Sequence, residues 1–174
     1  ADPSGEMTAV LALLGGSVEL ARLGSRRTVA ATDFFLAPLE SAVEPGELAV
    51  SAWFPAPPAR TGTAFVEVAR RHGDYALCGV AAAVTLTPDG SVAAARAAYL
   101  SVSPVPLVLD LTEAVAGLRP DAAAWSPAGQ VARAGVDPEG DIHATAGYRR
   151  HLAGVLTERA LAAAATHATN GAPA

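Results

Sequence analysis

The sequence predicts an α+β protein, with strand patterns in its first two thirds and helical patterns in its last. Three observations carry this reading. Ser17–Leu23 and Arg26–Ala30 alternate apolar and polar residues about Gly24-Ser25, as the arms of a hairpin do. Ala64–Arg70, Ala76–Leu86 and Val92–Val102 are longer strand patterns joined by short polar turns, a three-stranded antiparallel meander. From Leu107 onward the pattern turns helical, and strands followed by helices exclude the alternating order of a parallel sheet.

Taken in order, the chain opens with a helix. Asp2 is a good N-cap, Pro3 suits the first helical position, and Glu6 lies in the first turn, where the helix dipole favours an acid. Met7, Val10, Leu11 and Leu14 then repeat as one apolar stripe, which Gly15-Gly16 ends. After the hairpin, Thr32-Asp33 caps a short helical turn through Phe34-Phe35. Glu44-Pro45-Gly46-Glu47 is a turn leading into a strand over Leu48–Phe54. Pro55, Pro57 and Pro58 withdraw three backbone donors within four residues, and with Arg60-Thr61-Gly62 they mark a linker.

Beyond the meander, and its turn Thr87-Pro88-Asp89-Gly90, three helices are expected. The first spans Leu107–Leu118 and ends before Pro120; the second spans Asp121–Ala134 and is interrupted near Pro127. Thr145 caps the third, which runs to about Ala165. On that helix Tyr148, Leu152, Val155, Leu156 and Leu161 share a face, and Arg149, Arg150 and Glu158 lie off it. The expected organisation is a first subdomain over 1–54, a linker over 55–62, a sheet-plus-three-helix domain over 63–166 and a flexible tail over 167–174.

Composition narrows the function. The chain has 174 residues and a net charge of −5, and all twelve of its bases are Arg. It carries no basic stripe for nucleic acid. Mean hydropathy is +0.31, yet no run approaches the ~18 apolar residues of a membrane span. The single cysteine, Cys78, sits in an apolar run and excludes a disulfide framework or a cysteine-rich metal site within this chain. The four histidines have no metal-binding spacing. The N-terminus shows no initiator Met, so a chain trimmed, engineered or cut from something longer is expected, and with no signal-peptide pattern visible the expected location is cytoplasmic.

The densest cluster of reactive side chains is Arg70-Arg71-His72-Gly73-Asp74-Tyr75, a loop between two strands. His72 and Asp74 are spaced to converge in a turn as an acid–base pair. The competing reading is a solvated loop whose surface ion pairs contribute about 0–1 kcal/mol each. Asp137, Glu139, Asp141 and His143 lack the ligand count of a calcium loop and read as a polar entry to the last helix, with His143 packed or capping. Arg149, Arg150 and His151 are adjacent, and neighbouring helical residues point about 100° apart, which argues against a joint anion site. Gly15-Gly16 follows a helix, the reverse of a phosphate-cradling order, and no nucleophile motif is present.

Four segments carry a family resemblance: ADPSGE, TDFFLAPLESAVEPGEL, FVEVARRHGDYALCGVAAAV and DIHATAGYRRHLAGVLTERAL. In this order they resemble the flavin-binding medium subunit of the molybdenum hydroxylases, the carbon monoxide dehydrogenase and xanthine dehydrogenase family, over roughly Ala1 to Ala165. The resemblance implies that residues up to Phe54 are the tail of the second flavin-binding subdomain. Those from Thr63 onward look like the family's C-terminal domain of three strands and three helices. It further implies FAD as cofactor, electron relay from iron–sulfur clusters to an external acceptor, and as partners the other hydroxylase subunits and an N-terminal flavin half. Glu6 matches an acidic position that contacts the adenosine ribose, and Leu36 and Val43 match apolar residues lining the flavin. Arg71–Tyr75 matches the segment near the isoalloxazine ring, with Asp74 and Tyr75 at matching positions.

The sequence departs from the family pattern at several points. Both glycine motifs that cradle the pyrophosphate are absent from the chain. Ala37 stands for a common Gly, Val66 for a Lys, Val108 for an Arg, and Ser101 and Ser103 lie where relatives are often Gly-rich. A chain that holds no FAD is therefore a second expectation. It would use His72, Asp74, Tyr75 and Arg71 for non-redox chemistry on a small molecule, as a cyclase or isomerase. A non-catalytic module or homodimer, covering the apolar surface that a missing half exposes, is the third.

Overall fold

The computed structural model describes residues 1–121 and 124–170. Its centre is an antiparallel sheet of four strands in chain order: β6 (Thr61–Ala69), β7 (Ala76–Leu86), β8 (Val92–Leu100) and β9 (Leu107–Asp110). β7 is apolar along nearly its whole length, and both of its faces are covered. Cys78, Val80, Ala82 and Val84 enter the main core with Tyr99, Trp125, Leu156 and Leu161. Ala81, on the opposite face, packs with Ala98 and Leu100 beneath Ala9 and Leu13 of α1 (Glu6–Leu14). Small side chains on that face let the helix lie close to the sheet, and each buried leucine contributes about 1.5–3 kcal/mol.

The main face is covered by α4 (Ser126–Gly135) and the 25-residue α5 (Ala146–Asn170), with α3 (Thr112–Val115) at the β8 side. Contact between α5 and the sheet requires Gly62, because a Cβ there would lie 2.0 Å from the Ala164 carbonyl oxygen. Tyr99 is buried with its hydroxyl 2.7 Å from that of Thr157, which in turn donates to the Ala153 carbonyl at 2.7 Å. This pairing satisfies two polar groups inside the core.

A second, smaller sheet runs β2 (Ser25–Ala30), β1 (Ser17–Arg22), β5 (Leu48–Trp53), with β5 at its edge. Val18, Leu20 and Val29 pack there with Leu11 and with Phe34 and Phe35, which bracket the end of α2 (Ala31–Phe34) and the start of β3 (Phe35–Ala37). β3 pairs with β4 (Glu40–Ser41). Arg27 fixes the loop ahead of β5, donating from Nε and Nη2 to the two carboxylate oxygens of Glu47 at 2.8 and 2.7 Å. Every residue of β5 is exposed.

The α+β class and the antiparallel strand order hold, and several details are corrected. The main sheet has a fourth strand, because Leu107–Asp110 pairs with β8 instead of opening a helix. Helix α1 begins at Glu6 with Gly5 as N-cap. Asp2 organises the preceding turn, its carboxylate accepting from the Ser4 N–H at 2.8 Å. Pro127 lies at the start of α4 and interrupts nothing, since the first turn of a helix has no use for its missing N–H. Residues 122 and 123, at the front of the expected second helix, lie outside the described residues. Residues 61 and 62 of the expected linker belong to β6, and α5 continues through residues 167–170, where the tail was expected to fray; residues 171–174 lie outside the described residues. On α5, Tyr148 is largely exposed and Arg149 is buried, the reverse of the expected assignment.

Candidate functional site

A cleft of about 840 Å³ opens where four segments meet. The N-terminal Pro3-Ser4 and Pro38 form one side. Arg70, Arg71, Asp74 and Tyr75 form the second, Ser101–Pro104 the third, and Asp137–Asp141 with His143 the fourth. Arg149 lies in its lining between them.

Local bonding holds each wall in place. Gly73, at φ +84°, makes the tight turn of the second wall. The Asp74 N–H closes that turn on the Arg71 carbonyl at 3.1 Å, and the Asp74 carboxylate lies 3.6 Å from Arg71 Nε. The Ser101 N–H donates to the Pro3 carbonyl at 2.9 Å and its hydroxyl to Ser4 Oγ at 2.8 Å, tying the third wall to the chain start. Ser101 adopts φ +62°, a left-handed conformation that costs an L residue about 1–2 kcal/mol. The Leu39 N–H donates to the Ala1 carbonyl at 2.7 Å and fixes the segment bearing Pro38.

In the fourth wall, Asp141 Oδ1 accepts the N–H groups of His143 and Ala144 at 2.8 and 2.9 Å. These backbone donors, the Ala144 one first, hold its carboxyl below the usual range, and the Arg149 charge adds to the effect. Arg149 is 7 % exposed. Its Nη1 donates to the carbonyls of Leu77 at 2.6 Å and Ser101 at 3.0 Å, and its Nη2 to Asp141 Oδ2 at 2.7 Å. One guanidinium therefore joins three of the four walls. Across the cleft, Arg70 bonds the ring Nδ1 of His143.

The structure gathers Arg71, Asp74 and Tyr75 at the cleft and leaves the other expected site residues outside its lining. His72 is exposed on the same loop, and the partner of Asp74 is Arg71. Tyr75 is 74 % exposed at the rim. Glu6 begins α1; nearby, Glu67 on β6 has its carboxyl raised by burial and then by the Glu6 charge. Leu36 is exposed beside Pro38, and Val43 packs on the smaller core. Cys78 is fully buried, and burial pushes its thiol up to about 12, which leaves it protonated and inert at neutral pH. Gly15, at φ +66°, and Gly16 cap the C-terminus of α1, their N–H groups turned to the Ala12 and Leu11 carbonyls. They are therefore spent on the helix end and offer no phosphate cradle.

Sequence reasoning reads Asp141, His143 and Arg149 as structural or solvated residues and misses that they converge with Arg70 on one cleft. No local signal marks Arg149, because buried and half-buried alanines alternate along α5 without drawing an apolar stripe.

Three sheets, helices on both faces of the largest and a cleft lined by charged side chains at its loop end make up an α+β module. Residues 63–164 match the family of the CO dehydrogenase flavoprotein C-terminal domain, and the chain belongs to that family. It is 32% identical over 170 residues to the carbon monoxide dehydrogenase medium chain of Afipia carboxidovorans, covering 97% of this chain and 59% of that one. It is 33% identical over 169 residues to the 6-hydroxypseudooxynicotine dehydrogenase complex subunit alpha of Paenarthrobacter nicotinovorans, covering 94% and 56%. Among solved structures, quinoline 2-oxidoreductase from Pseudomonas putida 86 superimposes with a TM-score of 0.87 at 32% identity, covering 97% of this chain and 58% of that one. CO dehydrogenase from Oligotropha carboxidovorans gives 0.83 at 32% identity, covering 95% and 58%. The chain thus spans about half to three-fifths of the length of the relatives it matches.

Proposed function

We propose that this chain is the C-terminal part of an FAD-carrying medium subunit in a molybdenum-hydroxylase-type oxidoreductase, working with the other subunits of such a complex. Family membership across 63–164, with the Arg71–Tyr75 loop standing open at the cleft rim, is the observation that carries the reading. FAD supplies the one- and two-electron chemistry when bound. The residues fit its flavin end better than its phosphate end, because Gly15 and Gly16 are committed to capping α1.

On this reading Arg71 offers a guanidinium to the flavin carbonyls, where charge grows on reduction, and Asp74 holds that guanidinium in place. Tyr75 and Leu36, both exposed, offer apolar faces to the ring, and Val43, packed on the smaller core, is the further apolar residue that the resemblance assigns to the flavin. Glu6, free at the start of α1, offers a carboxylate able to accept from a ribose diol. On this reading the phosphate donors come from the part of the medium chain that lies outside the stretch matched here.

The test is the visible spectrum of the purified protein, with its intact mass, before and after titration with FAD. Flavin bands that sharpen on binding, with quenched flavin fluorescence, support the reading. A protein that stays colourless and leaves FAD fluorescence unchanged, alone and together with its co-purifying subunits, overturns it.

A further inference from the structure

We propose that Arg149 is a positioning residue that sets the walls of the cleft, and with them the Arg71–Tyr75 loop. A buried guanidinium is an expensive way to stabilise a fold, since burial strips its hydration and well-packed apolar replacements are commonly neutral or stabilising. Here the expense is visible: Arg149 Nε is buried without a hydrogen-bond partner. What an apolar residue cannot supply is the fork of donors that reaches two backbone carbonyls and a carboxylate at once.

Those acceptors lie at places that matter for the cleft. The Leu77 carbonyl is two residues past Tyr75, where the loop feeds into β7. The Ser101 carbonyl belongs to the left-handed residue that turns β8 into the third wall. Asp141 organises the fourth wall through its bonds to the His143 and Ala144 N–H groups. His143 in turn meets Arg70, so the chain of contacts returns to the base of the loop. The three clusters that look separate in the sequence form one ring of contacts centred on a single residue of α5.

The role in flavin binding rests on the reading above; the role in setting the walls does not, and the experiment separates them. The full protein is compared with Arg149→Lys, Arg149→Met and Asp141→Asn, and with a control, Val84→Ala, which loosens the main core away from the cleft. Limited trypsin digestion, followed by mass spectrometry, measures cleavage after Arg70 and Arg71 well below each variant's Tm. We expect both Arg149 variants to be cut there about tenfold faster than wild type, the change set by losing a charge-assisted bond. Asp141→Asn falls between, and Val84→Ala stays at the wild-type rate at these two sites. Wild-type cleavage in both Arg149 variants, or equal acceleration in Val84→Ala, overturns the proposal. Should the Arg149 variants fail to fold, Asp141→Asn decides in the same way, because Asp141 is half exposed and removing its charge spares the core.

FAD titration is the second readout. If wild type binds FAD, Arg149→Lys weakens binding about tenfold while Val84→Ala does not; unchanged affinity in Arg149→Lys refutes its bearing on the flavin. A wild-type protein that ignores FAD defeats the functional reading alone, and the cleavage result stands by itself.

Discussion

At the scale of single residues, charge is spent on geometry. Glu47 is held by Arg27 in a two-point pair and also accepts the Glu44 N–H at 2.9 Å. The Arg27 bond, then the Glu44 one, brings its carboxyl down to about 2 from an ordinary 4.5. A depressed folded-state pKa means that the unfolded chain binds the proton more readily, so the stabilisation is full above about 4.5 and is lost as pH falls toward 2. Denaturant melts between these limits should show a steep acid loss of stability that Glu47→Gln flattens; an unchanged slope would show that the pair does not contribute. The Tyr99–Thr157 contact makes a different prediction. Tyr99→Phe leaves the Thr157 hydroxyl still bonded to the Ala153 carbonyl, so no buried group is orphaned. Urea melts should record a loss of only about 0.5–1.5 kcal/mol, the net value of one hydrogen bond.

At the scale of elements, the fold depends on close approach. Gly62→Ala pushes a methyl into the backbone of α5, since the nearest atoms, 2.0 and 2.2 Å away, are the Ala164 oxygen and the Ala168 nitrogen and cannot swing aside. Thermal and urea unfolding should show a loss of about 3 kcal/mol, the upper part of the range for overpacking. A loss under about 0.5 kcal/mol would mean that β6 and α5 separate more easily than their packing implies. Leu13→Ala in α1 tests the opposite face of the sheet, where a cavity should cost about 2–5 kcal/mol. Which elements are legible in the sequence follows the same physics. The hairpin and the three long strands are legible because alternation and turn residues are local signals. Leu107–Asp110 is not, because a short apolar run reads alike in a strand and a helix and is decided by its pairing with Ala97 and Tyr99. The inward face of α5 is not legible either: Ala153, Ala160 and Ala164 are buried while Ala162 and Ala163 are half-buried, so hydrophobicity draws no stripe to show that Arg149 points in.

At the scale of the whole molecule, the cleft joins segments spread along the chain from Pro3 to Arg149, and no local pattern announces such a meeting. The sequence shows the Arg71–Tyr75 loop because its reactive side chains are contiguous; the ring that holds it is tertiary and emerges only once β7, the turn after β8 and α5 are packed. The open strand β5 has a practical consequence for anyone who handles this chain alone. LAVSAW contains no charge and no proline, every residue is exposed, and Trp53 is 62 % exposed. Such a border is sticky in the literal sense, since its free N–H and C=O groups accept any extended polypeptide that arrives. Light scattering of concentrated solutions should therefore show slow particle growth. Val50→Lys, a lysine gatekeeper midway along the strand, should keep the solution clear without touching the cleft; growth at the wild-type rate in that variant would place the sticky border elsewhere.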